Sequence, residues 1–173
     1  LINQFLNPVS NRREDEFGGS PAARARFPAM VVQELADAIG ADRVGIRISP
    51  GNPYNGMDPT NPAPTFAAFL DALSDLKLAW IHVVDMGLAD LDVLALIREY
   101  SSAPIIANNM LKADSAEALL AQGRAEAVSF GRAFIANPDL VARMRSGAPL
   151  AKPDYGLLYT GEERGYTDYP ALA

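Results

Sequence analysis

The sequence contains no cysteine and a single histidine, and both shortages limit the chemistry open to it. Without cysteine there are no disulfides, thiolate metal sites or cysteine nucleophiles. His82 lies inside a strand-like segment, where a core residue with one satisfied hydrogen bond is expected rather than a metal ligand or a triad member. We therefore expect no metal site, and the lack of cysteine fits a cytoplasmic protein.

Positive charge and long apolar segments are also scarce. The chain has 15 Lys and Arg against 21 Asp and Glu, a net charge of −6, which argues against a nucleic-acid partner. No segment approaches the roughly 20 consecutive apolar residues that cross a bilayer, so no membrane partner is expected. The length suits one domain, residues 1–173, and the non-methionine Leu1 suggests that the chain begins within a longer protein.

What the sequence does contain is a repeated unit of a short apolar strand, a loop and an amphipathic helix. Ser20-Pro21 is a strong helix start, and Gly40 ends that helix. Asp114, with Glu117 three residues later, predicts a capping box. The predicted strands are 44–49, 80–85, 104–107 and 126–130. Apolar strands alternating with helices indicate a parallel sheet, but the pattern does not separate an open doubly wound sheet from a barrel.

Arg47 is the residue that suggests a ligand most directly. It alternates with Val44, Ile46 and Ile48, so it lies on the strand face opposite theirs. If those three residues face helices, Arg47 points into a barrel, where a guanidinium needs an anion or several acceptors. A bound ligand could supply them, and the alternative is a structural ion pair with a carboxylate such as Asp85.

The segments after the third and fourth predicted strands are candidates for a phosphate site. Asn109 and Met110 follow the third strand, and Gly131 and Arg132 follow the fourth. Barrels often bind phosphate in the loops after their last two strands, beside a short extra helix, for which 133–135 is suitable. The alternative is that Gly131 only forms a turn and Arg132 is a solvated surface charge.

Several motifs, in order along the chain, together resemble the Old Yellow Enzyme family. Residues 1–8 (LINQFLNP), 10–13 (SNRR), 15–20 (DEFGGS) and 24–27 (RARF) resemble the family's segment after its fourth barrel strand. Residues 42–50 (DRVGIRISP) resemble its fifth strand, 130–140 (FGRAFIANPDL) the turn after its eighth, and 165–170 (GYTDYP) its C-terminal signature. The resemblance implies a (β/α)₈ TIM barrel of which this chain is the second half, strands five to eight with their helices.

The resemblance also implies FMN as cofactor and assigns residues to it. Arg47 corresponds to the arginine at the flavin pyrimidine edge, and Gly131 and Arg132 to the FMN phosphate site. Asn109 and Met110 stand where relatives often carry glycine, so backbone N–H groups could still bind phosphate there. Tyr166 corresponds to an aromatic residue over the substrate side of the flavin, and Tyr54 and Asn55 match a variable loop that borders the pocket.

The family's substrate anchors and its proton-donating tyrosine would precede Leu1, so no catalytic residue is expected in this chain. The expected function is therefore a share in an FMN-dependent ene-reductase, which uses NADH or NADPH to reduce the activated C=C bond of a small alkene. A complementary N-terminal half-barrel chain is the expected partner. Two alternatives stay open: a self-associating, non-catalytic half-barrel scaffold, and another FMN barrel of the dienoyl-CoA-reductase type.

Overall fold

The alternation of apolar strands and helices folds into a parallel sheet in the computed structural model, which describes residues 1–172. The strands are β1 (Gly45–Ile48), β2 (Trp80–Val84), β3 (Ile105–Asn108) and β4 (Ala127–Ser129), in the order β1-β2-β3-β4. The helices are α1 (Ile2–Leu6), α2 (Pro21–Ile39), α3 (Ala63–Asp71), α4 (Val93–Tyr100), α5 (Ala113–Ala121), α6 (Arg132–Ala136) and α7 (Leu140–Ser146). Single 3₁₀ turns cover Ala41–Arg43 and Tyr54–Gly56.

Local capping chemistry sets the helix boundaries. Ser20 Oγ accepts a hydrogen bond from the Ala23 N–H at 3.2 Å, and α2 ends at Gly40, as its sequence predicted. The capping box predicted from Asp114 and Glu117 is wrong. Helix α5 begins at Ala113, and Ser115 Oγ accepts from the Lys112 N–H at 2.9 Å. A serine at this position satisfies the free N–H group locally, which places the helix start before Asp114.

The hydrophobic core lies between the helices and one face of the sheet. Ile48, Ile81, Val83 and Ile105 are at most 2% exposed and form one cluster with residues of α2, α3 and α4 such as Phe69. Alternate strand residues point to the opposite face. There Arg47 is exposed and His82 is half-buried, as expected from the alternation of Ile46, Arg47 and Ile48.

Sequential strand order and one-sided helix cover distinguish the two architectures that the sequence left open. A doubly wound sheet reverses its strand order at a switch point and carries helices on both faces. Here the strands run in chain order, and the face bearing Arg47 and Trp80, which is 42% exposed, lacks a helix layer within residues 1–172. Four consecutive strands with helices outside are half of a (β/α)₈ barrel, which confirms the predicted fold class. None of the helices in the described residues is long and apolar enough to cross a membrane.

Candidate functional site

The turn after β3 has a backbone conformation that residues other than glycine rarely adopt. Asn109 has φ of 100° and Met110 has φ of 53°, so two successive non-glycine residues occupy the region that favours glycine. Each such residue costs about 1–3 kcal/mol unless the surroundings hold it, and such residues cluster at functional sites. The Asn109 side chain helps to hold this turn, because its Nδ2 donates to the Asp85 carbonyl oxygen at 2.7 Å.

The turn after β4 lies next to this strained turn. Arg132 Nη2 donates to Met110 Sδ at 3.7 Å, so the predicted phosphate residues from two loops come together. A Cβ added to Gly131 would meet no atom within 4 Å, and its φ of −95° suits any residue. Neither packing nor backbone conformation therefore requires glycine at this position. The open space beside Gly131 and Arg132 has the chemistry of an anion site: a guanidinium and the N–H groups of a helical first turn.

Arg47 is the second positive charge near the carboxyl ends of the strands. Its side chain is exposed on the concave face of the sheet and makes no hydrogen bond or ion pair with any of residues 1–172. The ion pair with Asp85, considered above as an alternative, does not form, and Asp85 Oδ1 instead accepts from the Gly87 N–H at 2.9 Å. The guanidinium is therefore free to meet an external acceptor.

A hydrogen-bonded network lies between Arg47 and the turn after β4. His82 Nε2 lies 2.9 Å from Ser129 Oγ, and Asn108 Nδ2 donates to both the carbonyl oxygen and Oγ of Ser129 at 2.9 Å. Burial, and then the charge of Arg47, lower the pKa of His82 below its ordinary value, which favours the neutral imidazole. The satisfied hydrogen bond predicted for His82 is confirmed, but its link to Ser129 could not be read from the sequence.

The aromatic candidates occupy different places. Tyr166, which is 51% exposed, lines a cleft of about 430 Å³ together with Phe134, Ile135, Pro138, Thr167 and Tyr169. Gly165 precedes it with φ of +74°, and a Cβ there would lie 2.7 Å from the Leu157 Cβ, so this turn requires glycine. Tyr54 and Asn55 lie in the 3₁₀ turn after β1, outside the lining of that cleft.

Two residues that the sequence analysis did not select anchor the C-terminal segment beside this cleft. Asn137, with no exposed surface, donates to the Ala151 carbonyl oxygen at 3.0 Å and accepts from the Ala151 N–H at 2.8 Å. Arg143 is 8% exposed and donates to the carbonyl oxygens of Pro149 and Pro170. Nothing local in the sequence marks either residue as buried. No group of His, Cys, Asp and Glu within residues 1–172 could hold a metal ion.

Residues 1–151 match the family described as NADH:flavin oxidoreductase / NADH oxidase. The chain is 40% identical over 177 residues to the Leishmania infantum protein named probable flavin mononucleotide-dependent alkene reductase, covering 99% of this chain and 48% of that protein. It superposes on the Old Yellow Enzyme of Trypanosoma cruzi with a TM-score of 0.90 and 34% identity, over 100% of this chain and 47% of the other. For morphinone reductase in complex with tetrahydroNAD the TM-score is 0.89 and the identity 40%, over 100% and 48%.

These similarities confirm the resemblance inferred from the motifs, and the chain spans about half the length of the relatives that it matches. FMN is the cofactor of this family, and the morphinone reductase complex fits a nicotinamide reductant. The residues at the carboxyl ends of the strands fit such a cofactor. The exposed guanidinium of Arg47 has the charge to suit the flavin ring, and the open space with the guanidinium beside Gly131 and Arg132 has the chemistry to suit the FMN phosphate.

Proposed function

Since the chain belongs to the NADH:flavin oxidoreductase / NADH oxidase family, we propose that it is the C-terminal half of a single FMN-binding barrel domain. Completed by an N-terminal half-barrel, it would reduce the activated C=C bond of an unsaturated carbonyl or nitro compound with NADH or NADPH. The observation that carries this proposal is the pair of arginines, Arg47 and Arg132, near the carboxyl ends of one parallel sheet, neither of which forms an ion pair within residues 1–172. Ligands bind at that end in this architecture.

Each residue would act on the cofactor by simple electrostatics. Arg132, with backbone N–H groups around Gly131 and Met110, would bind the phosphate through charge-assisted hydrogen bonds. Arg47 would stabilise negative charge at the pyrimidine edge, where a fixed cation needs no reorganisation during the reaction. The bound FMN supplies hydride transfer, which no protein side chain can perform.

The aromatic residues and the missing half complete the proposal. Tyr166, on the wall of the cleft beside α6, would border the substrate, with Tyr54 and Asn55 on a separate loop at the pocket margin. The proton donor would come from the complementary half. That half would also cover the concave face on which Arg47 and Trp80 are exposed. A cytoplasmic location stays a prediction.

The test is to mix the 173-residue chain with the N-terminal half of the Trypanosoma cruzi enzyme and measure FMN retained after gel filtration. We expect a yellow one-to-one complex that oxidises NADH or NADPH in the presence of an α,β-unsaturated ketone. Arg132→Ala should weaken FMN binding about tenfold or more, as expected for a lost charged hydrogen bond. Arg145→Ala, an exposed arginine on α7, is the matched control and should bind FMN as the wild type does.

Two results would contradict the proposal. One is a folded complex that binds no FMN. The other is a chain that forms homodimers or larger assemblies, stays colourless and does not bind the complementary half. The second result would favour the scaffold alternative, because β1 and β4 leave two sheet edges free within the described residues.

A further inference from the structure

We propose that His82 is a positioning residue that holds the phosphate-binding turn after β4 at a fixed distance from Arg47. This inference rests on the proposed function, because it concerns the same FMN site. It goes further by assigning a role to a side chain in the middle of β2, on the face of the sheet that bears Arg47, rather than at the ends of the strands.

The strand register places His82 between the two ends of the site. His82 pairs with Arg47 across β1 and β2, so the two side chains are neighbours on one face. Its Nε2 lies 2.9 Å from Ser129 Oγ on β4. The bond therefore passes over β3, across a strand separation of about 10 Å for two sheet spacings. It joins the strand next to Arg47 to the strand that leads into the phosphate turn.

Ser129 connects this hydrogen bond to the turn after β4. Its carbonyl oxygen and Oγ both accept from Asn108 Nδ2 at 2.9 Å, so β3 and β2 hold the same residue. Gly131 follows two residues later, and Arg132 begins α6. A shift of Ser129 would thus move the proposed phosphate ligands relative to Arg47. A displacement of about 1 Å in the positioning groups is enough to impair the function of an active site.

The chemistry of imidazole suits the position beside Arg47. A neutral imidazole can hydrogen-bond to Ser129 without adding a second positive charge next to the guanidinium. Among residues 1–172, Arg47 is the charged group that acts on His82, while Asn108 and Ser129 are uncharged. A leucine would fill the same space without the bond. Glutamine, which is neutral and hydrogen-bonding, should replace histidine in this role.

The experiment compares His82→Leu, His82→Gln and Ser129→Ala in the chain assembled with the complementary half, with FMN itself as the probe. We expect the FMN dissociation constant to rise about three- to tenfold in His82→Leu and Ser129→Ala, the usual effect of one hydrogen bond. His82→Gln should stay within about twofold of wild type. The double variant His82→Leu/Ser129→Ala should bind FMN no more weakly than Ser129→Ala alone, because Ser129→Ala already removes the hydrogen bond to His82 as well as the one from Asn108.

A second measurement is independent of FMN. His82 is the single histidine in the chain, so its imidazole ¹⁵N signals need no assignment. Ser129→Ala should shift the Nε2 signal, whereas Ser115→Ala, a matched change at a serine that bonds to the backbone of Lys112 just before α5, should not.

The outcomes separate the two proposals. If the wild-type assembly binds no FMN, the proposed function fails, and this inference falls with it. If wild type binds FMN and His82→Leu binds it equally tightly, the inference alone is overturned. An Nε2 signal that does not change in Ser129→Ala would also overturn the inference.

Discussion

Arg143 Nε donates to Asp139 Oδ1 at 2.7 Å, and this pair connects helix α7 to the C-terminal segment that carries Tyr166. Only 9% and 17% of the two side chains are exposed. The Leu172 N–H donates to the other carboxylate oxygen of Asp139 at 2.8 Å. The hydrogen bond from Arg143 is the main reason why the pKa of Asp139 lies below its ordinary value, followed by the Leu172 N–H.

The first prediction concerns this anchor. Arg143→Ala should lower the free energy of unfolding by about 3 kcal/mol, because it removes three hydrogen bonds of a buried side chain, to the carbonyl oxygens of Pro149 and Pro170 and to Asp139. Urea denaturation of the assembled protein would measure the change. Arg145→Ala, on the exposed side of the same helix, should change stability by less than about 0.5 kcal/mol. Equal effects of the two substitutions would refute the anchoring role.

The second prediction separates folding from cofactor binding at Gly131. Gly131→Ala should leave the unfolding free energy within about 0.5 kcal/mol of wild type, since a Cβ there meets no protein atom and the backbone is unstrained. The same methyl group would occupy the proposed phosphate space, so the FMN dissociation constant should rise at least tenfold. Thermal denaturation without FMN and a fluorescence titration with FMN give the two readouts. Unchanged FMN affinity would show that the open space beside Gly131 does not bind the FMN phosphate.

Secondary structure was predictable where sequence signals are local. The Ser20-Pro21 start, the Gly40 end and the four strands depend on neighbouring residues, and the structure confirms them within one or two positions. The choice between an open sheet and a barrel depends on strand order and on which face the helices cover. Those are relations between distant segments, so only the family resemblance indicated them beforehand. Helix α1, a single turn without a capping side chain, has no local signal and was not predicted.

The site residues divide in the same way. The position of Arg47 on the face of the sheet opposite the core was predictable, because a single charged residue that alternates with apolar residues in a strand indicates a second face. The bond between His82 and Ser129 was not, because it joins residues 47 positions apart across an intervening strand. The residues Asn109 and Met110 do not themselves indicate positive φ angles, since neither is a glycine, and the only signal was the glycine that relatives often carry at these positions.

The third prediction tests the strain at that turn. Met110→Gly should raise the unfolding free energy by about 0.5–1 kcal/mol, because the native φ of 53° is costly for a side chain and free for glycine. Little packing is lost, since Met110 is 78% exposed. Met110→Ala keeps the Cβ and should give no gain, so it is the matched control. Equal stabilities of the glycine and alanine variants would show that the turn stores no strain.

The last prediction follows from the lowered pKa of His82. Its ordinary value is 6.5, and burial together with Arg47 lowers it in the folded chain, so the unfolded chain binds the extra proton first as the pH falls. His82 therefore costs no stability above pH 6.5 and destabilises the fold increasingly as the pH falls from 6.5 towards the lowered pKa.

Urea midpoints measured between pH 7 and about 5, above the range where carboxylates titrate, isolate this effect. We expect the wild-type midpoint to fall across that interval and the midpoint of His82→Gln to stay level, because glutamine has no proton to bind. A matching decline in both proteins would mean that the imidazole is equally basic in the folded and unfolded chain. His82 would then not be held in the neutral, hydrogen-bonded state on which the positioning role depends.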